Sequence, residues 1–223
     1  MRIQVQGISK KYGERMLFSI PSLEIGSGQS LHLQGENGAG KTTLMKILAG
    51  LERPSSGSII LNGIDSRSWW KRPHHKLIYL HQTPFVFSGS VSDNVRFGLG
   101  YQFSSRRDLD KRVEAALELS GLTHLATQEA RTLSGGEKQR LAMARAAILE
   151  PSMLMLDEPT ANLDAESIKI VTEMVTSLSA QECCIMLSSH QKTSLTQLCQ
   201  RQLQLKAGQL LEVFENPEYS KYA

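Results

Sequence analysis

Apolar residues recur along this chain at two spacings. Ile3 and Val5 alternate with Gln4 and Gln6, and Leu31 and Leu33 alternate with His32 and Gln34, the two-residue period of a half-buried strand. Leu44, Ile47 and Leu48 return at helical spacing and are followed by Gly50, which reads as a C-terminal cap. Short unbroken apolar runs at 77–80, 153–156 and 184–187 predict strands covered on both faces, while 111–119 and 165–178 predict helices. Strands alternating with helices imply an α/β fold built on a largely parallel sheet. The region from about 83 to 151 reads as mostly helical between two core strands, with 104–108 (Ser-Ser-Arg-Arg-Asp) as its loop, so it is expected to be an inserted helical lobe. No fixed-period repeat, low-complexity tract or Pro- or Ser-rich linker divides the chain, and 1–223 reads as one domain.

Length and charge narrow the function. A chain of 223 residues buries a large core, and 25 basic against 22 acidic residues is no concentrated excess, so no nucleic-acid partner is expected. Cys183, Cys184 and Cys199 lack C-x-x-C spacing and read as core residues of a reducing compartment. No apolar run approaches the ~20 residues that span a bilayer, and the start of the chain alternates where a signal peptide would be continuously apolar. A cytoplasmic protein is expected, reaching a membrane only through partners. The stretch 67–76 mixes bases with Trp69 and Trp70 and reads as a solvated loop; His74 and His75, as sequence neighbours, are expected to point apart, with no Cys, Asp or Glu at ligand spacing.

The chemistry lies in three motifs. Gly35, Glu36, Asn37, Gly38, Ala39, Gly40, Lys41 and Thr42 form a glycine-rich turn between a strand and a helix, which offers backbone N–H groups to phosphate, a lysine to the β- and γ-phosphates and a hydroxyl to Mg²⁺. The strand at 153–156 delivers Asp157, assigned to Mg²⁺, and Glu158, assigned to the attacking water, at the edge where α/β sheets bind ligands. These parts bind and cleave a nucleoside triphosphate. Between them, Leu133, Ser134, Gly135, Gly136 and Glu137 open a helix, with Ser134 as cap and Glu137 completing a capping box.

In this order the three motifs resemble the ATP-binding subunit of ABC transporters over nearly the whole chain. The resemblance implies a P-loop NTPase core of RecA-like type with an inserted helical subdomain and an N-terminal antiparallel β region. It implies ATP and Mg²⁺ as ligands, held by the loop 35–42 with Thr43. It also implies that Ser134, Gly135 and Gly136 face the γ-phosphate held by a second copy of the chain in an ATP-sandwich dimer. Tyr12 looks like the aromatic that stacks on adenine, Gln82 like the loop glutamine that reaches Mg²⁺ and the water, and His190 like the switch histidine on the γ-phosphate. Asp164 would pair with the opposite cassette or cap the next helix. Gln191 stands where many relatives carry aspartate.

The segment 81–95 and the tail around Phe214-Glu215-Asn216-Pro217 look similar to importers of tungstate- or molybdate-type oxyanions. That likeness implies an ATPase on the inner face of the cell membrane, working with integral permease subunits and a substrate-binding protein. The alternatives are an exporter cassette, which the Phe-Ser-Gly-Ser of 87–90 also resembles, and a soluble non-transport ABC ATPase. The absence of a long heptad array and of a second cassette weighs against that soluble class.

Overall fold

The computed structural model describes residues 1–65, 74–99 and 106–213. The Trp69-Trp70 segment and the tail from Phe214 onward lie outside them.

Two sheets organise the chain. An antiparallel sheet is ordered β2-β1-β4-β5, from β1 (Ile3–Tyr12), β2 (Arg15–Ile25), β4 (Ser56–Leu61) and β5 (Ile64–Asp65). The second sheet is ordered β10-β9-β3-β8-β7-β6, from β3 (Ser30–Gln34), β6 (Leu77–Leu80), β7 (Met153–Asp157), β8 (Cys184–Ser188), β9 (Arg201–Lys206) and β10 (Gln209–Val213). Strands β9, β3, β8, β7 and β6 run parallel, and β10 returns antiparallel along β9. The helices are α1 (Lys41–Leu48), α2 (Val91–Phe97), α3 (Arg106–Leu119), α4 (Gly135–Ala147), α5 (Ala165–Ala180) and α6 (Ser194–Gln197). The α/β architecture with a parallel core sheet and an N-terminal antiparallel sheet is as expected.

Every residue of β7 and β8 is buried, and alternation divides them between two cores. Leu154, Leu156, Ile185 and Leu187 pack with apolar residues of α2, α3, α4 and α5. Met153, Met155, Cys184 and Met186 pack on the other face with α1 and the antiparallel sheet. The two-residue period thus makes the sheet a partition, with a helical layer on one side. The three cysteines are free and buried, and burial pushes the thiol of Cys183 up to about 11 and those of Cys184 and Cys199 to about 12.

Gly50 ends α1 as the periodicity predicts: its N–H bonds to Ile47 O at 3.1 Å and that of Leu51 to Lys46 O at 2.8 Å, a Schellman closure. Two expectations fail. Residues 106–108 are not loop but the first turn of α3, whose buried side chains are Val113, Ala116 and Leu117, all further along. A charged first turn facing water has no apolar signature to read. The rings of His74 and His75 do not point apart but stack 5.1 Å from centroid to centroid at 7°, because they sit in a turn where strand alternation does not apply. Among the described residues no group of three or more His, Cys, Asp or Glu could hold a metal, and no helix is long and apolar enough to cross a membrane.

Candidate functional site

The site gathers at the C-terminal ends of the parallel strands. Strand β3 runs into the loop 35–40, and α1 starts at Lys41 from an N-cap, Gly40, with φ 106° and no capping side chain. Ser90, Ser134, Asp164 and Thr193 each accept a backbone N–H at the start of α2, α4, α5 and α6. The first N–H groups of α1 have no such partner and its first turn carries no acidic residue, so they and the helix dipole are available to an anion. Lys41, only 7% exposed, folds back so that Nζ donates to Gly35 O at 2.8 Å and Glu36 O at 3.2 Å. Glycine suits position 40 because its φ is left-handed, where an L side chain is strained, and a Cβ there would also press on the Leu17 side chain at 3.0 Å.

Asp157, 3% exposed, ends β7 and collects three hydroxyls. Thr42 Oγ1 and Tyr79 Oη donate to Oδ2 at 2.7 and 2.9 Å, and Ser188 Oγ donates to Oδ1 at 2.6 Å. Burial and then the Asp157 carboxylate push the Tyr79 phenol far above its ordinary range, which keeps it a donor. Glu158 follows in the left-handed region at φ 48°, a strained conformation for a non-glycine residue. Its N–H is held by Ser188 Oγ at 3.0 Å and Ser188 O at 3.2 Å. Its carboxylate meets His190, whose Nδ1 lies 3.2 Å from Oε2 and 3.3 Å from Oε1.

Tyr12, at the end of β1, is half exposed, with its hydroxyl donating to Glu52 Oε1 at 2.7 Å and the Lys10 ammonium 5.0 Å from its ring centre. Burial works to raise the Glu52 carboxyl, but the bonds from Lys10 and Tyr12 outweigh it and hold it below its ordinary value, so the anchor of the ring stays charged. Tyr12, Asn37, Gly38, Gly40, Lys41, Thr42, Thr43, Gln82, Asp157, Glu158 and His190 line one cleft of about 610 Å³, a size suited to a small-molecule ligand. Gly35, Glu36 and Ala39 line an adjoining cavity of about 410 Å³ that shares Asn37 and Gly38 with the first.

Ser134, Gly135 and Gly136 do not line that cleft. Ser134 caps α4 in a capping box: its Oγ accepts from Glu137 N at 3.3 Å, and its N–H donates to Glu137 Oε2 at 2.7 Å. A Cβ on Gly136 would lie 2.4 Å from Ser167 Oγ, so glycine there lets α4 approach the start of α5. Asp164 caps α5 through Ser167 N at 2.7 Å. Sequence reasoning missed Arg15 and Leu17, which also line the cleft, and the Tyr79 and Ser188 hydroxyls. No residue type signalled Arg15, which reaches the cleft because the β1–β2 register sets it opposite Tyr12.

A lysine-closed loop beneath an uncapped helix can hold a phosphate chain, and a hydroxyl beside a buried carboxylate suits Mg²⁺, which takes few protein ligands and keeps waters and phosphate oxygens. A family model described as "ABC transporter" matches residues 18–161, more than half of the chain. The chain belongs to this ABC transporter family. The ABC domain is 41% identical over 174 residues to the molybdate/tungstate import ATP-binding protein WtpC of Pyrococcus abyssi, covering 77% of this chain and 50% of that protein. It is likewise 41% identical over 171 residues to the sulfate/thiosulfate import ATP-binding protein CysA of Pectobacterium atrosepticum, covering 74% and 52%. The chain thus spans about half the length of these curated relatives. Among solved structures, the ABC fold is shared with cbiO1 of Clostridium perfringens, described as part of the ABC transporter complex cbiONQ. The TM-score is 0.82 at 27% identity, over 94% of this chain and 86% of that one.

Proposed function

We propose that this chain hydrolyses ATP to drive import of a small oxyanion through separate membrane subunits. The observation that carries the reading is the Glu158–His190 contact in the same cleft as Lys41, Thr42 and Asp157. It sets a carboxylate base and an imidazole beside a phosphate-binding loop. Tyr12 stacks on adenine, the loop N–H groups and Lys41 bind the phosphates, and Gln82 and Glu158 orient the attacking water, with Glu158 taking its proton. Thr42 Oγ1 and Asp157 Oδ2 are the atoms that would hold Mg²⁺, which when bound neutralises charge on the β- and γ-phosphate oxygens.

Two copies of the chain close on ATP, the Ser134-Gly135-Gly136 helix start of one completing the site of the other. Permease subunits dock on the cytoplasmic side of the membrane against Phe85, Phe87 and Phe97, within the inserted lobe of about 83–151. Phe85 and Phe97 are 67% and 62% exposed, and the Arg145 guanidinium lies 4.9 Å from the Phe87 ring. A substrate-binding protein completes the system. Cargo is read from the relatives: the P. abyssi and P. atrosepticum proteins are named for molybdate/tungstate and for sulfate/thiosulfate, all oxyanions. Steady-state ATPase of Glu158→Gln tests the hydrolysis: nucleotide binding should persist while turnover falls at least ~10². A rate within a few fold of wild type would remove Glu158 from the role.

A further inference from the structure

We propose that His32 is a positioning residue that fixes the switch segment carrying His190. The inference rests on the reading of His190 as Glu158's partner in hydrolysis.

His32 lies in β3, three residues before the phosphate loop, and is 3% exposed. Its strand neighbours Leu31 and Leu33 show what a purely packing position there carries. A buried imidazole costs free energy unless its nitrogens are bonded. In β3 it sits between Leu187 of β8 and Gln202 of β9. On one side Nδ1 lies 2.8 Å from Gln202 Oε1 and 3.2 Å from Gln34 Nε2, and that amide nitrogen itself donates to Gln202 Oε1 at 2.9 Å. Gln202 Nε2 points to Cys199 O at 3.5 Å, which turns the amide oxygen toward the ring.

On the other side Nε2 lies 3.3 Å from the carbonyl oxygen of Ser189. A carbonyl only accepts, so this contact needs a proton on Nε2; with that single proton Nδ1 is left to accept from Gln34 Nε2 at 3.2 Å, and a bond to Gln202 Oε1 as well takes a second proton. The N–H of Ser189 meanwhile donates to Leu33 O at 3.4 Å. Adjacent β3 residues therefore grip both the N–H and the C=O of Ser189, and the next residue is His190. Ser189 Oγ in turn accepts from Gln191 N at 3.0 Å, closing the segment on the far side of His190. The direction of the His190 side chain is thus set from the strand that leads into the phosphate loop, and the two sides of the cleft share one anchor.

The test compares His32→Leu, which keeps the bulk and loses the donor, with His32→Gln, whose amide N–H can still reach a carbonyl. The leucine variant should lose on the order of tenfold to a hundredfold in kcat, the cost of ångström-scale misplacement, with KM for ATP within roughly twofold. The glutamine variant should recover most of that loss. A folded leucine variant with wild-type kcat, a loss confined to KM, or a glutamine variant no better than leucine would each overturn the proposal. Should leucine prevent folding, ¹⁵N NMR of the wild-type His32 imidazole decides: Nε2 must carry a proton, and a ring protonated only at Nδ1 refutes the Ser189 bond. Wild-type turnover in the same assay separates the two readings. If the wild type does not hydrolyse ATP, the hydrolysis reading falls, while the NMR measurement needs no nucleotide and still judges the bond.

Discussion

Replacing Ser188 by alanine removes one hydroxyl that serves both carboxylate residues of the cleft. Ser188 is fully buried, its Oγ donating to Asp157 Oδ1 at 2.6 Å and accepting the Glu158 N–H at 3.0 Å. The first bond is to an ionised group in a buried place, and such bonds contribute about 1.5–3 kcal/mol. The second loss is smaller, about 0.5 kcal/mol, because Ser188 O at 3.2 Å still accepts the same N–H. Thr42 and Tyr79 remain on Oδ2, so Oδ1 is the oxygen stripped of its donor. The sum is a loss of about 2–3.5 kcal/mol, and at roughly 2–4 °C per kcal/mol in a chain of this size the melting temperature should fall by about 4–14 °C. Urea denaturation of Ser188→Ala, alone and in an Asp157→Asn background, measures the charged part directly, because in that background the acceptor is neutral and the serine should matter less. A loss below about 0.5 kcal/mol, or the same loss in both backgrounds, would refute the reasoning.

Tyr12→Ala should weaken ATP binding roughly tenfold, the scale of one base stack, and leave inorganic triphosphate binding unchanged, whereas Lys41→Ala should weaken both; isothermal titration with the two ligands separates them. A random mixture of Lys41→Ala and Ser134→Arg chains should recover up to about a quarter of wild-type ATPase if sites are shared between two copies and act independently. In that experiment native mass spectrometry must first show mixed dimers, and no recovery from proven mixed dimers with uncoupled sites counts against sharing. Glu137 is held below its ordinary carboxyl value first by the Ser134 N–H, so its stabilisation is fully present above the unfolded value of 4.5 and is lost as pH falls through the lowered folded value. Glu137→Ala should therefore cost about 0.3–1 kcal/mol at pH 7 and progressively less in acid, as read by thermal melts across pH. Phe87→Asp should abolish complex formation with the permease while leaving the isolated subunit's ATPase near wild type; intact copurification and uptake would discard that docking face.

Four strands of the core sheet were legible, β3 by its alternation and the others as the short apolar runs at 77–80, 153–156 and 184–187, whereas β9 and β10, interrupted by polar residues and largely exposed along β10, left no such run to read. The phosphate loop was legible because glycines and a lysine at fixed spacing answer one chemical need. The antiparallel sheet was barely visible. In β2 the exposed Met16, Pro21 and Ser22 blur the alternation, and only Ile3 and Val5 spoke for β1. Arg15 and Leu17 enter the cleft through a hairpin register that residue types alone do not fix. Ser188 and Tyr79 are ordinary strand residues until β6, β7 and β8 lie side by side and bring their hydroxyls to one carboxylate. His32 reads as the polar half of an alternating strand. The sheet shows both its faces covered, and the ring's bonds run sideways to β9 and to the segment after β8.

The strand order sets a timetable for synthesis. β3 leads into the phosphate loop, yet its two partners in the sheet, β8 and β9, begin at Cys184 and Arg201. About 150 residues separate the end of β3 from the start of β8, so at roughly 5–20 residues per second the loop waits about 8–30 s on the ribosome before either neighbour exists. For that interval both edges of β3 are open to pairing with other chains. A ribosome stalled before residue 184 would hold an intact glycine motif without the sheet that gives it shape. Nucleotide capture by nascent chains should switch on late, once β8 and β9 have emerged, and not when the loop itself does.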